Sequence, residues 1–193
     1  TRFRNGYAEH FDEHCSAALV TTDESLPSRL LLSAWHCIED YRDLSRDLLF
    51  ETADGTRHPA RVVASGGGMH GDWAILRLRT ALPGGLLLAP PSERGDDVHA
   101  MAGFTSRAGA DAALVHARHC RVTGRDGRDL RSDCVLRKGA SGGAVVDAGD
   151  ARVYRGVISR GDARSVSIFV PLTRFYRHLR PLLDTTVSAV PGS

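Results

Sequence analysis

The chain has 193 residues, of which 42% are hydrophobic and 25% are charged, and this is the composition of an ordinary soluble globular protein. It contains no run of about 18 apolar residues, so the sequence predicts no membrane span. The net charge of +2 is too small to indicate a nucleic-acid partner. A chain of this length can bury a substantial core, as one fold or as two small halves.

The basic residues are almost all arginines. Lys138 is the single lysine among 25 basic residues. Arginine makes bidentate contacts with phosphate and carboxylate groups, and recognition of such groups is one explanation of this bias. The arginines are scattered along the chain, so we favour biased codon usage as the explanation.

Short apolar or β-branched runs recur along the chain, separated by turn signals. This pattern favours an all-β sandwich or barrel over alternating strands and helices. Turns are predicted at 65–68, 82–85, 124–129 and 147–150. The runs interpreted as strands are 17–22, 29–33, 60–64, 73–78, 97–104, 112–122, 143–147, 152–159 and 165–170.

The remaining segments connect or close these runs. Residues 82–97, LPGGLLLAPPSERGDD, are the best candidate for a connection between two halves. Residues 171–183 are predicted to form a C-terminal helix, with Pro171 near its start. Residues 184–193 are interpreted as a tail. The side chains at helical spacing are Leu172, Phe175, Tyr176, Leu179 and Leu182.

Four cysteines, Cys15, Cys37, Cys120 and Cys134, form two pairs that are well separated in the sequence. The chain contains no CxxC motif, which weakens a zinc-ribbon or thioredoxin-like interpretation. Local pairing would close two short loops and would stabilise the fold by roughly 3 kcal/mol per bridge. Stable disulfides would imply an oxidising compartment. The sequence alone leaves all three pairings open.

Three polar residues lie at positions that suit acyl-transfer chemistry, which needs a nucleophile, a base and an acid that orients the base. His36 follows an apolar strand in LLSAWHC, and Asp72 precedes one in HGDWAILRL. Ser141 lies in the glycine-rich stretch KGASGGAVV, where main-chain N–H groups can converge on a developing oxyanion. Each element alone is a weak signal, but together and in this order they predict a catalytic triad.

These motifs resemble those of the chymotrypsin-like serine proteases. SAWHC is similar to the family's catalytic-histidine motif, DWAIL to its aspartate motif and GASGG to its nucleophile motif. The resemblance extends from Cys15 to Leu183 and implies two six-stranded antiparallel β-barrels with a C-terminal helix. The N-terminal barrel (1–81) would carry the histidine and aspartate, and the C-terminal barrel (98–170) would carry the serine.

The resemblance also implies a role for each site residue. Ser141 would attack the scissile carbonyl, His36 would act as general base and then general acid, and Asp72 would orient the imidazole. The N–H groups of Gly139 and Ser141 would form the oxyanion hole. A disulfide between Cys37 and Cys15 fits the family pattern. The stretch GVISRG resembles the strand that pairs with the substrate main chain, so the residues expected to line the cleft are Ser159, Arg160 and Gly161.

The sequence departs from the family pattern in two respects, and one further position bears on specificity. The chain starts with TRFRNG, and Ala140 precedes the nucleophile, so the ion pair that activates some family members is absent. These features are more similar to the bacterial glutamyl-endopeptidase or HtrA-like branches. Trp35 stands where a small alanine is usual. Val135 occupies the position that often forms the floor of the P1 pocket, which favours a small or apolar P1 residue.

Three other interpretations compete with a protease. A silent protease fold that serves in binding usually lacks a triad member, and this chain keeps all three. A metal site could draw on His116, His119, Cys120, Asp133 and Cys134, or on His10, His14 and Cys15, but His116 and Cys120 would share a strand face that His119 does not. An α/β-hydrolase esterase would need the order serine, acid, histidine on a parallel sheet.

We therefore predict an exported, bacterial serine endopeptidase that acts on polypeptide substrates. It would need no metal and no cofactor, bind no nucleic acid and insert into no membrane. Its location would be extracellular or periplasmic, with a signal peptide presumed removed. The N-terminal residues lack the basic-then-apolar pattern of such a signal, so either it was removed before this form or none existed. The sequence makes no prediction about its oligomeric state.

Overall fold

The computed structural model describes residues 14–39, 47–90, 98–105, 113–162 and 164–184, and the backbone of two short strands before them. The described chain is almost entirely β-structure. Its strands are β1 (Arg2–Arg4), β2 (Tyr7–Glu9), β3 (Ala18–Thr21), β4 (Ser28–Ser33), β5 (Leu48–Glu51), β6 (Arg57–Ser65), β7 (Ala74–Leu82), β8 (Leu86–Leu87), β9 (Val98–Phe104), β10 (Leu114–Asp126), β11 (Asp129–Ser132), β12 (Ala144–Asp147), β13 (Tyr154–Gly161) and β14 (Ser167–Pro171). Two 3₁₀ turns, Trp35–Cys37 and Leu172–Arg174, and one helix, α1 (Tyr176–Asp184), complete it.

The second half of the chain forms a closed antiparallel barrel in the order β10-β11-β14-β13-β12-β9. Alternate residues of β9 point inward, as expected for a strand with one buried face. Met101 and Val145 from neighbouring strands are fully buried inside this barrel, with Phe169 beside them. The barrel predicted for this half is therefore confirmed.

The first half forms a six-stranded sheet in the order β5-β6-β7-β4-β3-β8. Its pairs are antiparallel except for β3 with β8, where Val20 pairs with Leu86 in parallel. The first half is thus antiparallel as expected, with β8 as the exception at this edge. Strand β8 comes from the segment interpreted as a connection, and a chain that crosses from one half to the other can run beside β3 in the same direction. Among the described residues, strands β1 and β2 pair with each other and with no other strand.

One apolar core joins the two halves and the helix. Val20 and Ile75 from the first half pack with Val157 and Val170 from the second, and all four are fully buried. The indole of Trp73 stacks on Phe175, with ring centroids 5.4 Å apart. Because this core spans both halves, each half holds its site residues at a fixed position relative to the other.

The C-terminal helix is confirmed, but it begins at Tyr176 rather than at Pro171. Pro171 is the last residue of β14 and pairs with Gly156. The following 3₁₀ turn connects the strand to the helix, and Leu172 and Leu179 fill the core. Helical spacing placed the buried face correctly, but it could not separate the 3₁₀ turn from the helix. Among the described residues no helix is long and apolar enough to cross a membrane.

Strand β10 contains a bulge that corrects the expected orientation of its side chains. Its register against β9 shifts between Ala117 and Cys120, and His119 has a positive φ of 57°. His116 is therefore exposed, whereas Cys120 is fully buried. The prediction that these two residues share a face is wrong because a bulge adds a residue and reverses the alternation.

Candidate active site

Asp72 and His36 form a hydrogen-bonded pair in the first half. Asp72 lies just before β7 and is fully buried, and His36 lies in the 3₁₀ turn after β4. Nδ1 of His36 lies 2.8 Å from Oδ2 of Asp72, and the main-chain N–H of His36 donates to Oδ1 at 2.9 Å. Both carboxylate oxygens thus hold the histidine, one through its ring and one through its backbone.

Ser159 connects this pair to the nucleophile candidate. Its hydroxyl donates a short hydrogen bond to Oδ2 of Asp72, and its main-chain oxygen accepts a bond of 3.2 Å from the hydroxyl of Ser141. The three residues predicted to form a triad therefore lie around one fully buried serine. Sequence reasoning placed Ser159 in the cleft but missed its bond to Asp72. A polar residue among the inward-facing positions of an otherwise apolar strand was the available signal.

The electrostatics of this cluster keep Asp72 ionised. Burial by itself would raise the pKa of the Asp72 carboxyl, because a low dielectric disfavours charge. The hydrogen bonds from His36 and Ser159 outweigh this effect and hold the pKa below its ordinary value. The result is a desolvated carboxylate directed at an imidazole that is 23% exposed.

In the nucleophile loop, some main-chain N–H groups donate to carbonyls of the protein and others do not. Those of Ala140, Gly142 and Gly143 each donate to a main-chain carbonyl of the protein. Those of Gly139 and Ser141 donate to no partner within the described part of the chain. Two donors on either side of Ala140 are therefore available to an external oxygen, and they are the two that sequence reasoning assigned to an oxyanion hole.

Gly142 explains why a glycine must follow the serine. Its φ is +81°, which favours glycine, and a Cβ built there would lie 2.1 Å from the main-chain oxygen of Ser16 and 2.3 Å from Oγ of Ser33. Any side chain at this position would push the nucleophile loop away from the first half. The glycine thus permits the close approach that places Ser141 beside the residues of the other half.

Ser16 fastens the nucleophile loop to the first half, a role for which the sequence offered no signal. Its N–H donates to the carbonyl of Ser141 at 2.7 Å, and its hydroxyl donates to the carbonyl of Gly139 at 2.8 Å. The hydroxyl also accepts from the N–H of Phe104, and Ser33 donates to the Ser16 carbonyl, both at 2.8 Å. Two of these four bonds hold the carbonyls of Gly139 and Ser141, and the other two fix Ser16 to Phe104 and Ser33.

The two disulfides are Cys15–Cys37 and Cys120–Cys134. The first joins the residue before Ser16 to the residue after His36, and its Cys37 sulfur lies 3.9 Å from Nε2 of His36. Cys15, His36 and Cys37 lie close enough together to resemble a metal-binding cluster, but both sulfurs are committed to the bridge. The cysteines of both zinc hypotheses are likewise held in disulfides, Cys120 with Cys134 and Cys15 with Cys37, and His10 lies outside the described residues.

The residues predicted to contact substrate lie on β13 and before the nucleophile loop. Arg160 forms ion pairs with Asp126 at 3.0 Å and with Asp129 at 3.6 Å, and Gly161 ends β13 in an exposed position. Val135 is 38% exposed. The specificity assigned to these positions stays a prediction.

Comparison with known sequences gives one family. The model of the trypsin-like peptidase domain matches residues 15–154, which covers well over half of the chain and includes all three triad candidates. No curated protein matches the chain. The chain belongs to the trypsin-like peptidase family.

Proposed function

We propose that the protein is a serine endopeptidase that hydrolyses peptide bonds through an acyl-enzyme on Ser141. The observation that carries this proposal is the site around Ser159, where a buried carboxylate holds the imidazole of His36 and contacts the strand that receives the Ser141 hydroxyl. Family membership supplies the polypeptide substrate class.

In the proposed mechanism His36 takes the proton of Ser141 at Nε2 while Oγ attacks the scissile carbonyl. Asp72 keeps the other ring proton on Nδ1 and stabilises the imidazolium that forms. The N–H groups of Gly139 and Ser141 donate to the oxyanion, and each such donor contributes on the order of 3 kcal/mol of transition-state stabilisation. His36 then returns the proton to the leaving amine, and water releases the acyl group by the same sequence of proton transfers.

Two disulfides favour action in an oxidising compartment, so we propose an extracellular or periplasmic location. The proposal also places the protein in the glutamyl-endopeptidase or HtrA-like branch and gives it a preference for a small or apolar P1 residue. It includes no requirement for a metal or a cofactor.

Incubation with a reduced and alkylated polypeptide tests the proposed reaction. We expect fragments from internal cleavage whose summed masses exceed that of the substrate by one water per cleaved bond, and we expect the same rate in the presence of EDTA. A substrate that stays intact with folded protein would favour the silent binding protein instead. Loss of cleavage in EDTA would contradict the metal-free mechanism.

The reaction should depend on pH through His36, which acts as a base only when its ring is neutral. Histidine has an ordinary pKa of about 6.5, so kcat/KM should fall as the pH drops through about 6 to 7. Asp72 should add no step in this range, because its pKa lies below the ordinary aspartate value and it stays ionised. A pH–rate profile that remains flat down to about pH 4 would contradict the assignment of His36 as base.

A further inference from the structure

A cleft of about 630 Å³ lies where the β6–β7 loop of the first half meets the second half. Its walls come from three elements: the loop between β6 and β7, the hairpin between β10 and β11, and the start of α1 with the turn before it. Trp73, the residue directly after Asp72, contributes to its lining. The cleft therefore spans both halves of the fold.

The lining of this cleft is strongly basic. Arg125 and Arg128 come from the hairpin and Arg177 from the helix, and all three are exposed. Among the described residues, none of these three arginines has an acidic partner, and no aspartate or glutamate lines the cleft. Three exposed arginines thus line one cavity and form no ion pair among the described residues, although Nε of Arg177 donates to Nε2 of His178 at 3.1 Å.

A fourth arginine makes the cleft rigid. Arg174 donates a short hydrogen bond to Oδ1 of Asp129 on the hairpin, and it donates to the carbonyl of His70 at 2.6 Å in the β6–β7 loop. Arg174 itself precedes α1, so a single side chain joins all three walls. The ring contacts of Trp73 with Phe175 and His178 fix the start of α1 against the first half. A preorganised cleft loses little conformational freedom when it binds a ligand.

The cleft is also close to the strand that carries Ser159. Arg160 follows Ser159 and pairs with Asp126, which is the neighbour of Arg125. Summed from the lengths of the two side chains and their 3.0 Å contact, the path from the main chain of Ser159 to that of Arg125 is about 20 Å, which an extended peptide covers in about six residues. A polypeptide bound at the candidate active site can therefore reach the cleft.

We propose that this cleft binds acidic side chains of the polypeptide substrate, within about six residues of the scissile bond. The proposal rests on the proposed peptidase function and adds a substrate class to it: polypeptides with clustered glutamate or aspartate. Guanidinium groups bind carboxylates bidentately, which gives both charge and geometric selection. Four of the arginines that are scattered in the sequence, Arg125, Arg128, Arg174 and Arg177, thus line this one cleft.

Binding to an inactive protein tests the cleft without relying on catalysis. The protein carries Ser141→Ala, and the probes are two labelled peptides that share a neutral centre but have flanking runs of glutamate or of glutamine. We expect the glutamate peptide to bind about tenfold tighter in low salt, because three exposed arginine–carboxylate pairs each contribute modestly. This preference should shrink at high salt.

A triple variant then locates the site. Arg125→Gln, Arg128→Gln and Arg177→Gln together should abolish the preference for glutamate. The matched control removes three exposed arginines outside the cleft, Arg29→Gln, Arg61→Gln and Arg118→Gln, and it should keep the preference. Equal affinity for both peptides, or equal loss in both triple variants, would overturn the proposal. Selective binding of a sulfated glycan or an oligonucleotide in place of the glutamate peptide would overturn it as well.

Kinetics separate this proposal from the proposed function. The measured quantity is the ratio of kcat/KM for the glutamate peptide to that for the glutamine peptide. We expect a ratio of about ten in the active protein and in the control variant, and a ratio near one in the cleft variant. A ratio of one in all proteins would overturn the acidic-substrate proposal while leaving the peptidase intact. Absence of any cleavage would instead contradict the proposed function, and the binding experiment would still decide about the cleft.

Discussion

Replacement of Asp72 by asparagine is expected to leave the protein folded and to lower kcat by about 10⁴, the size of this effect in a serine-protease triad. Asp72 only accepts hydrogen bonds, from the ring and main chain of His36 and from Ser159. In asparagine, the NH2 of the side-chain amide would face one of these three donors, where the carboxylate offered an acceptor oxygen. The amide NH2 would then donate to an unprotonated Nδ1 of His36, and the ring proton would lie on Nε2. With Nε2 protonated, His36 can no longer accept the proton of Ser141.

The measurement is kcat for a cleavable peptide, with urea unfolding as the test of folding. Asp54→Asn is the matched control, because Asp54 is an exposed carboxylate that bonds within its own turn. We expect this control to keep its activity. A kcat for Asp72→Asn within tenfold of that of the parent protein would show that another group orients His36.

Replacement of Ser16 by alanine is expected to slow acylation of Ser141 by about 10- to 100-fold, because the nucleophile loop would lose its hydroxyl anchor. The carbonyl of Gly139 and the N–H of Phe104 would both lose their partner. Buried groups left without a partner cost about 1–3 kcal/mol of folding free energy. The acylation rate should fall because the main chain at Gly139 shifts and its N–H donates less well to the oxyanion. We therefore expect kcat to change more than KM. The measurements are the acylation rate and the urea midpoint.

A second buried serine separates positioning from stability. Ser132 is fully buried, and its hydroxyl bonds the ring of His99 at 2.9 Å and the N–H of Cys134 at 3.2 Å. Ser132→Ala should therefore lower the urea midpoint to a similar extent but leave the acylation rate unchanged. An equal loss of rate in both variants would mean that Ser16 acts only through global stability.

Strand positions and the triad candidates were predictable because local pattern encodes both. Every run interpreted as a strand is at least partly a strand in the fold, including the long β10 and the short β12. His36, Asp72 and Ser141 lie at strand ends or in a glycine-rich turn, and such places present side chains to a cleft. Their motifs carry family information that an isolated residue lacks.

Contacts between distant segments were not predictable from one sequence. Ser16 is 123 residues away from Gly139, and Ser159 is 87 residues away from Asp72. A buried serine looks the same in the sequence whether it bonds its own turn or another half of the fold. The parallel pairing of β8 and the bulge at His119 depend likewise on how the chain closes around its core.

The pairing of the cysteines was likewise not predictable from sequence pattern alone. Local pattern left three pairings open, and the fold selects Cys15–Cys37 and Cys120–Cys134. In this arrangement one bridge lies beside His36 and the other lies next to the bulge of β10. Family resemblance pointed to the first bridge, and spacing in the sequence could not choose between the pairings.

The most direct test of the peptidase site is intact mass after treatment with a fluorophosphonate, on the parent protein and on Ser141→Ala. The reagent reacts with a serine that has both an activating base and oxyanion donors. We predict a single covalent adduct on the parent protein and none on Ser141→Ala. An unmodified parent protein, or an adduct that persists in Ser141→Ala, would contradict the assignment of Ser141 as the nucleophile.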